Sequence, residues 1–161
     1  MINIEENLNE FPVISLSAGE YLLTEGDNTD SIYFLRKGSV RVLQKGYEVG
    51  IRSEKGTVFG EMSILLNHAH SATVQCLENS QFYRIEHPKK YLEDHPNLIW
   101  NIAEILAVRL FNLTEYLVDV KHQYAGHDHL GMVDEVLATL LNQQGTKVLQ
   151  RQKSKRETPD Y

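Results

Sequence analysis

The sequence predicts a mainly β protein with added α-helices, and two patterns that follow one another along the chain lead to this class. Residues 19–86 consist of short runs in which apolar and polar side chains alternate, separated by Gly-Asp and Lys-Gly pairs at intervals typical of hairpins. After Pro88 the apolar residues are spaced three and four apart, which is typical of helices. Many short strands with glycine turns indicate a small barrel or sandwich, so we expect a β domain followed by helices.

The alternation also predicts which strand side chains are buried. Ile32 and Phe34 are two residues apart, as are Val40 and Val42, so each pair lies on one face of its strand and points inward. Cys76, the only cysteine of the chain, alternates with polar neighbours in the same way. We therefore expect Cys76 to be a buried strand residue rather than a reactive thiol, and it has no second cysteine for an internal disulfide.

A long amphipathic helix is predicted to begin at Pro96, and the next glycine or proline after it is Gly126. Its apolar seam, with steps of four and three by turns, consists of Ile99, Ala103, Leu106, Leu110, Leu113, Leu117, Val120 and Tyr124. A seam held for more than three heptads favours a homodimer through helix 96–125, and the alternative is a helix that packs only on its own β domain. About 29 helical residues span about 43 Å, which exceeds the width of a domain roughly 25 Å across and favours the dimer.

The predicted organisation has four parts. They are a β domain with a lead-in segment at 1–95, the dimer helix at 96–125, a short amphipathic helix at 126–142 and a basic, disordered tail at 143–161. Five basic and two acidic residues give the tail a net charge of +3, so the other 142 residues carry −9 of the total of −6. An acidic body is a poor surface for duplex DNA, and one short helix with a tail does not supply a winged helix-turn-helix. We therefore expect no direct DNA binding.

Other classes of protein find little support in the sequence. No apolar run approaches the roughly 20 residues of a membrane span, and the first residues lack a secretory signal, so we expect a cytoplasmic protein. A G-x-S-x-G elbow and a Walker phosphate loop are both absent, so we expect no enzymatic activity. His68 and His70 form an H-x-H pair, but a metal site of that kind needs a nearby glutamate and a third histidine. The next glutamate, Glu78, lies in a turn-like stretch, so we expect no metal and no cofactor.

Two stretches of the chain resemble a known family. They read GEYLLTEGDNTDSIYFLRKGSVRVL, from Gly19, and KGTVFGEMSILLNHAHSATV, from Lys55. Together they resemble the cyclic-nucleotide-binding domain of the catabolite activator protein (Crp/Fnr) class over roughly residues 19–120, without the DNA-binding helix-turn-helix. The resemblance implies a double-stranded β-helix, or jelly-roll β-roll, followed by a long dimerisation helix and a short C-terminal helix. It also implies a phosphate-binding cassette that opens at Phe59.

The resemblance implies a ligand site in this cassette and on the long helix. Its residues are Phe59, Gly60, Glu61, Met62, Ser63, His70, Ser71, Ala72 and Thr114. A helix start offers unpaired amides to a phosphate, and Gly60 lets the backbone approach a ligand closely. Ionised Glu61 is a hydrogen-bond acceptor only, which suits ribose hydroxyls. Ser71 and Ala72 match the small residues that close over the cyclic phosphate, while Thr114 either reaches the base or faces solvent beside the seam.

The sequence departs from the family pattern at His70, where the family has an arginine. An arginine gives two charge-assisted hydrogen bonds to a phosphate, whereas a histidine gives one and is mostly neutral near pH 7. The loss of one such bond weakens binding about ten- to hundredfold. Three alternatives follow for the pocket: a cyclic nucleotide (cyclic AMP or cyclic GMP) bound weakly with the help of protonated His70, another nucleotide or small anion, or an empty scaffold.

The expected function is therefore a sensory module that binds a nucleotide and passes its state through the dimer helix to a separate partner protein. One alternative is a structural dimerisation protein with an empty pocket. A second alternative is a transcription regulator that acts on DNA through a partner.

Overall fold

The computed structural model describes residues 8–123 and 131–142, in which eight strands precede most of the helical residues. The strands are β1 Val13–Leu16, β2 Tyr21–Leu23, β3 Ser31–Lys37, β4 Val40–Gln44, β5 Tyr47–Arg52, β6 Val58–Phe59, β7 Thr73–Cys76 and β8 Ser80–Glu86. The helices are α1 Glu61–Leu66, α2 Pro88–Asp94, α3 Pro96–Gln123 and α4 Gly131–Asn142. The predicted tail at 143–161 and the seam residue Tyr124 lie outside the described residues.

The strands form two antiparallel sheets of four strands each, in the orders β1-β8-β3-β6 and β2-β7-β4-β5. Apart from the hairpin of β4 and β5, neighbouring strands are not consecutive in sequence, which is typical of a jelly roll. Side chains from both sheets meet in one buried cluster, to which Leu35 and Phe82 contribute from the first sheet and Val40 and Val74 from the second. The predicted fold class, a mainly β jelly roll with helices, is confirmed.

Cys76 belongs to the same buried cluster, at the end of β7. Burial raises the pKa of its thiol, which keeps it protonated near neutral pH. The prediction of a buried strand cysteine is confirmed.

Strand β3 differs from the alternating pattern that the sequence predicts, because it is buried on both faces. Ile32 and Phe34 point into a second cluster, which contains Leu98 and Ile102 of α3. Tyr33 and Leu35, on the other face, point into the cluster between the sheets. The prediction of an inward face at 32 and 34 is right, but the opposite face is covered as well, since helices pack on one side of this strand and a sheet on the other.

The long helix α3 presents buried and exposed stretches in turn. Near its start, Leu98 and Ile102 are buried in the second cluster, and the predicted seam residue Leu106 packs against that cluster. The seam residues Ile99, Leu110 and Leu113 are exposed by 42%, 47% and 48%. The early part of α3 therefore packs on its own β domain, while much of the predicted seam is uncovered.

The chain divides into two compact units, residues 1–111 and 112–161. Helix α4 belongs to the second unit, where Asp134 forms an ion pair with Lys121. Within the described ranges, no helix is both long enough and apolar enough to cross a membrane.

Candidate functional site

A cavity of about 150 Å³ lies in the first unit, between the second sheet and the segment from β6 to β7. Eight of the nine predicted site residues line it: Phe59, Gly60, Glu61, Met62, Ser63, His70, Ser71 and Ala72. The ninth, Thr114, lies in the second compact unit. Apolar side chains, among them Val42 and Val74, form part of the wall. Two arginines that the sequence analysis did not predict, Arg52 and Arg109, also line the cavity.

The corner between β6 and α1 depends on Gly60. Its backbone has φ 85° and ψ −5°, a left-handed conformation that glycine adopts without steric cost. A Cβ atom at this position would lie 2.9 Å from the carbonyl oxygen of Ser31 on the neighbouring strand β3. Glycine is thus required here both for its conformation and for the close approach of two backbones.

Ser63 holds the same corner together from the first turn of α1. Its hydroxyl donates a hydrogen bond of 2.8 Å to the carbonyl oxygen of Gly60, and the side chain is buried. A hydroxyl that is engaged in this way supports the shape of the cassette. Met62, by contrast, leaves much of its side chain exposed.

Glu61 is a buried carboxylate that is paired with a cation from α3. Arg109 donates from Nη1 to Oε1 of Glu61 at 2.6 Å and from Nη2 to the carbonyl oxygen of Val58 at 3.0 Å. The Glu61 side chain is 5% exposed and that of Arg109 35%. Burial raises the pKa of Glu61, while Arg109 and the amides of Glu61 and Met62 act in the opposite direction.

Sequence reasoning missed Arg109, although two signals were present. A carboxylate placed in a pocket needs a cationic partner, because an unpaired buried charge is costly. Arg109 is the first lysine or arginine of the helix that begins at Pro96, and the next is Lys121. The partner is 48 residues away in sequence, so only the fold shows that the two side chains meet.

His70 lines the cavity, but its imidazole contacts Thr29 in the loop before β3. Its Nε2 lies 2.9 Å from the hydroxyl oxygen of Thr29, within hydrogen-bond distance, and the residue is 5% exposed. The backbone of His70 also bonds to Gly26 and Asp27. Burial lowers the pKa of His70, Asp27 partly counteracts this effect, and His68 adds to it. In this arrangement the imidazole is neutral near pH 7 and is directed towards the loop before β3.

Ser71 and Ala72 line the cavity between His70 and the start of β7 at Thr73. Both are half-buried. In the part of the chain that the structure describes, the hydroxyl of Ser71 has no hydrogen-bond partner, unlike that of Ser63. This hydroxyl is available to a ligand in the cavity.

The H-x-H pair has a local explanation. Nδ1 of His68 contacts the carbonyl oxygen of Ala69, and His70 contacts Thr29. Among the described residues, no group of three or more His, Cys, Asp or Glu side chains is placed to hold a metal ion.

Comparison with known proteins bears on the family resemblance. Residues 13–90 match the family model of the cyclic nucleotide-binding domain. The chain is 36% identical over 63 residues to the cAMP-dependent protein kinase regulatory subunit of Emericella nidulans, covering 38% of this chain and 15% of that protein. It is 26% identical over 103 residues to the lysophospholipase NTE1 of Pyricularia oryzae, covering 60% of this chain and 7% of that enzyme. The chain thus spans only a small part of each of these relatives.

A solved structure extends the likeness to most of the chain. The catabolite activator protein of Thermus thermophilus superposes with a TM-score of 0.59 at 19% identity, over 86% of this chain and 80% of that one. At this level of identity the likeness shows the fold alone. The resemblance that the sequence predicts is confirmed: residues 13–90 match the family model of the cyclic nucleotide-binding domain, and the solved structure has the same fold.

Proposed function

We propose that the cavity binds a cyclic mononucleotide, cyclic AMP or cyclic GMP, and that the chain is a non-enzymatic regulatory module. The observation that carries the proposal is the buried Glu61, held by Arg109 at the wall of a cavity whose other lining residues lie within the part of the chain that matches the family model. Burying a carboxylate costs free energy, and a hydrophobic pair would hold the same elements together at lower cost. An acceptor for ribose hydroxyls explains why the charge is present.

Each wall of the cavity has a proposed role. Glu61 accepts a hydrogen bond from the ribose, and the hydroxyl of Ser71 and the amide of Ala72 donate to the cyclic phosphate. Gly60 leaves room for the ligand beside the backbone, while Val42 and Val74 contact the apolar surface of the sugar. Arg109 orients Glu61 through the bond of 2.6 Å.

The size of the cavity indicates how the ligand lies. Pockets for small molecules occupy roughly 300–1,000 Å³, whereas this cavity encloses about 150 Å³. We propose that the sugar and the cyclic phosphate are enclosed and that the base lies outside the cavity. Thr114, which either contacts the base or faces solvent, belongs to the second compact unit.

The regulatory part of the proposal rests on α3. Arg109 belongs to this helix, so its contact with Glu61 connects the cavity wall to the element that carries the exposed seam residues Leu110 and Leu113. We propose that two copies pair along the seam 96–125 and that ligand binding is passed through α3 to a separate protein partner in the cytoplasm. A species that remains monomeric at all concentrations in sedimentation equilibrium would contradict the pairing.

A thermal-shift screen tests the proposed ligand. Cyclic AMP, cyclic GMP, 5′-AMP and a cyclic dinucleotide are each added to the full chain and to the variant Glu61→Gln. A cyclic mononucleotide at 100 times its dissociation constant should stabilise the wild type by about 2.7 kcal/mol. The variant should lose about ten- to hundredfold in affinity, because a charged acceptor is replaced by a neutral one.

The screen has two outcomes that contradict the proposal. If no cyclic mononucleotide shifts the unfolding temperature of the wild type, the cavity is not a site for this class of ligand. If Glu61→Gln binds as tightly as the wild type, the ribose contact is not made.

A further inference from the structure

None of the predicted site residues supplies an unpaired positive charge for the phosphate of a cyclic nucleotide. A cyclic phosphate carries one negative charge, and the residue at the position of the family's arginine is the neutral His70, engaged with Thr29. Arg109 is engaged with Glu61 and with the carbonyl of Val58. A third basic side chain, Arg52, also lines the cavity.

Strand register places Arg52 on the inner face of its sheet. Arg52 is the last residue of β5 and pairs with Val40 of β4, while Gly50 pairs with Val42. Directly paired residues of antiparallel strands share a face. Val40 is fully buried and Val42 lines the cavity, so Gly50 and Arg52 lie on the cavity side.

The residue between these two positions has the opposite orientation. Ile51 pairs with Arg41 on the outer face of the sheet and is 52% exposed. The turn of the hairpin, at Lys45 and Gly46, has positive φ at both residues, as a two-residue hairpin loop requires.

Gly50 leaves the space that the guanidinium of Arg52 occupies. A Cβ atom at position 50 would lie 2.8 Å from Nη1 of Arg52. Gly50 also has φ 154°, a conformation that other residues rarely adopt. The absence of a side chain at 50 thus lets the guanidinium lie along the strand beside the cavity.

Arg52 retains most of its hydrogen-bonding capacity. Its Nη1 donates to the carbonyl oxygen of Ile51 at 2.9 Å, and a guanidinium has five N–H donors. Within residues 8–123 and 131–142, no carboxylate forms an ion pair with Arg52, whereas Arg109 is paired with Glu61. An arginine also keeps its charge at any physiological pH, unlike His70.

We propose that Arg52 supplies the positive charge for the phosphate of the bound nucleotide, in place of the arginine that the family has at the position of His70. The phosphate is then held between β5 on one side and Ser71 and Ala72 on the other. This inference rests on the proposed function and adds to it a residue that comes from a different strand.

The test is isothermal titration of cyclic AMP and cyclic GMP into the full chain and three variants. Arg52→Gln removes the charge, Arg52→Lys keeps it, and Arg41→Gln removes an arginine from the opposite face of the adjacent strand β4. Arg52→Gln should weaken binding about ten- to hundredfold, because a charge-assisted bond to phosphate is lost. Arg52→Lys should retain part of the affinity, and Arg41→Gln should match the wild type. The unfolding temperature of each variant reports whether it is folded.

Salt and pH provide independent measurements of the same charge. The affinity of the wild type should fall with added salt more steeply than that of Arg52→Gln. Between pH 8 and pH 6 the affinity should stay level, because arginine does not titrate in this range, whereas a phosphate held by protonated His70 would bind more tightly at pH 6.

The outcomes separate the inference from the proposed function. If the wild type binds neither nucleotide, both are wrong. If the wild type binds and Arg52→Gln binds as tightly as Arg41→Gln, the cavity is a nucleotide site but Arg52 does not hold the phosphate. Affinity that rises steadily as pH falls would likewise overturn the role of Arg52 and assign it to His70.

Discussion

The two sides of the cavity handle charge differently. On the side of α1 a carboxylate, Glu61, is buried and is matched by Arg109 from α3. On the side of β7 the family's cation is replaced by His70, which is neutral and bonded to Thr29. The first side thus contains a charged pair, Glu61 with Arg109. The second side has no charge at position 70, where the family has an arginine. Glu61 is bonded to a residue of α3 and His70 to a residue of the loop before β3. A substitution at position 70 therefore does not disturb the contact between Glu61 and Arg109 directly.

The largest effect on stability should come from removing the cation that is paired with Glu61. Arg109→Met leaves Glu61 buried without its partner and should lower the free energy of unfolding by about 2–3 kcal/mol, measured by urea denaturation. This figure is below the 3–5 kcal/mol typical of fully buried pairs, because Arg109 is 35% exposed. The control is Lys121→Met, which breaks an exposed pair with Asp134 and should cost at most about 1 kcal/mol.

A double variant shows whether the pair itself is responsible. Glu61→Gln combined with Arg109→Met should recover a large part of the loss, because no charge is then left unpaired. Purely additive losses would mean that Arg109 acts through its contact with Val58 or through packing.

A positive charge at position 70 should make the cavity bind its ligand more tightly. His70→Arg restores the family's cation and should raise the affinity for cyclic AMP about tenfold at pH 7, measured by isothermal titration. His70→Gln, which cannot be protonated, is the matched control and should leave the affinity at pH 7 close to that of the wild type. Weaker binding by His70→Arg would show that the loop at Thr29 does not admit the larger side chain.

The smallest effect concerns stability against acid. Because the folded chain lowers the pKa of His70 below its usual value of about 6.5, the unfolded chain takes up a proton more readily than the folded one. His70 should therefore reduce stability as the pH falls below about 6.5, with no further loss once the pH is below its folded pKa. The difference in the free energy of unfolding between the wild type and His70→Gln, measured from pH 7.5 to pH 5, should follow this course. A difference that does not change with pH would mean that the imidazole titrates normally.

Local signals in the sequence predicted much of this molecule. The turn at Gly60 and the alternation at Val40 and Val42 depend on near neighbours, so the strands follow from the sequence, while the eight cavity residues follow from the resemblance to the family. The burial of β3 on both faces does not follow, because it depends on α3 packing beneath Ile32 and Phe34.

Local patterns do not predict the two arginines of the cavity. Arg109 meets Glu61 across 48 positions of sequence, and Arg52 lies at the cavity because of strand pairing with Val40 and the lack of a side chain at Gly50. Neither position is part of a continuous motif. Contacts of this kind depend on register and helix packing, which a single sequence does not specify.

The bond between Glu61 and Arg109 has a consequence for how such a domain evolves. Each charge is costly when it is left alone, so a mutation that removes one of them favours a second mutation that removes the other. Positions 61 and 109 should therefore covary among homologues, and lineages that have abandoned the ligand should have lost both residues together.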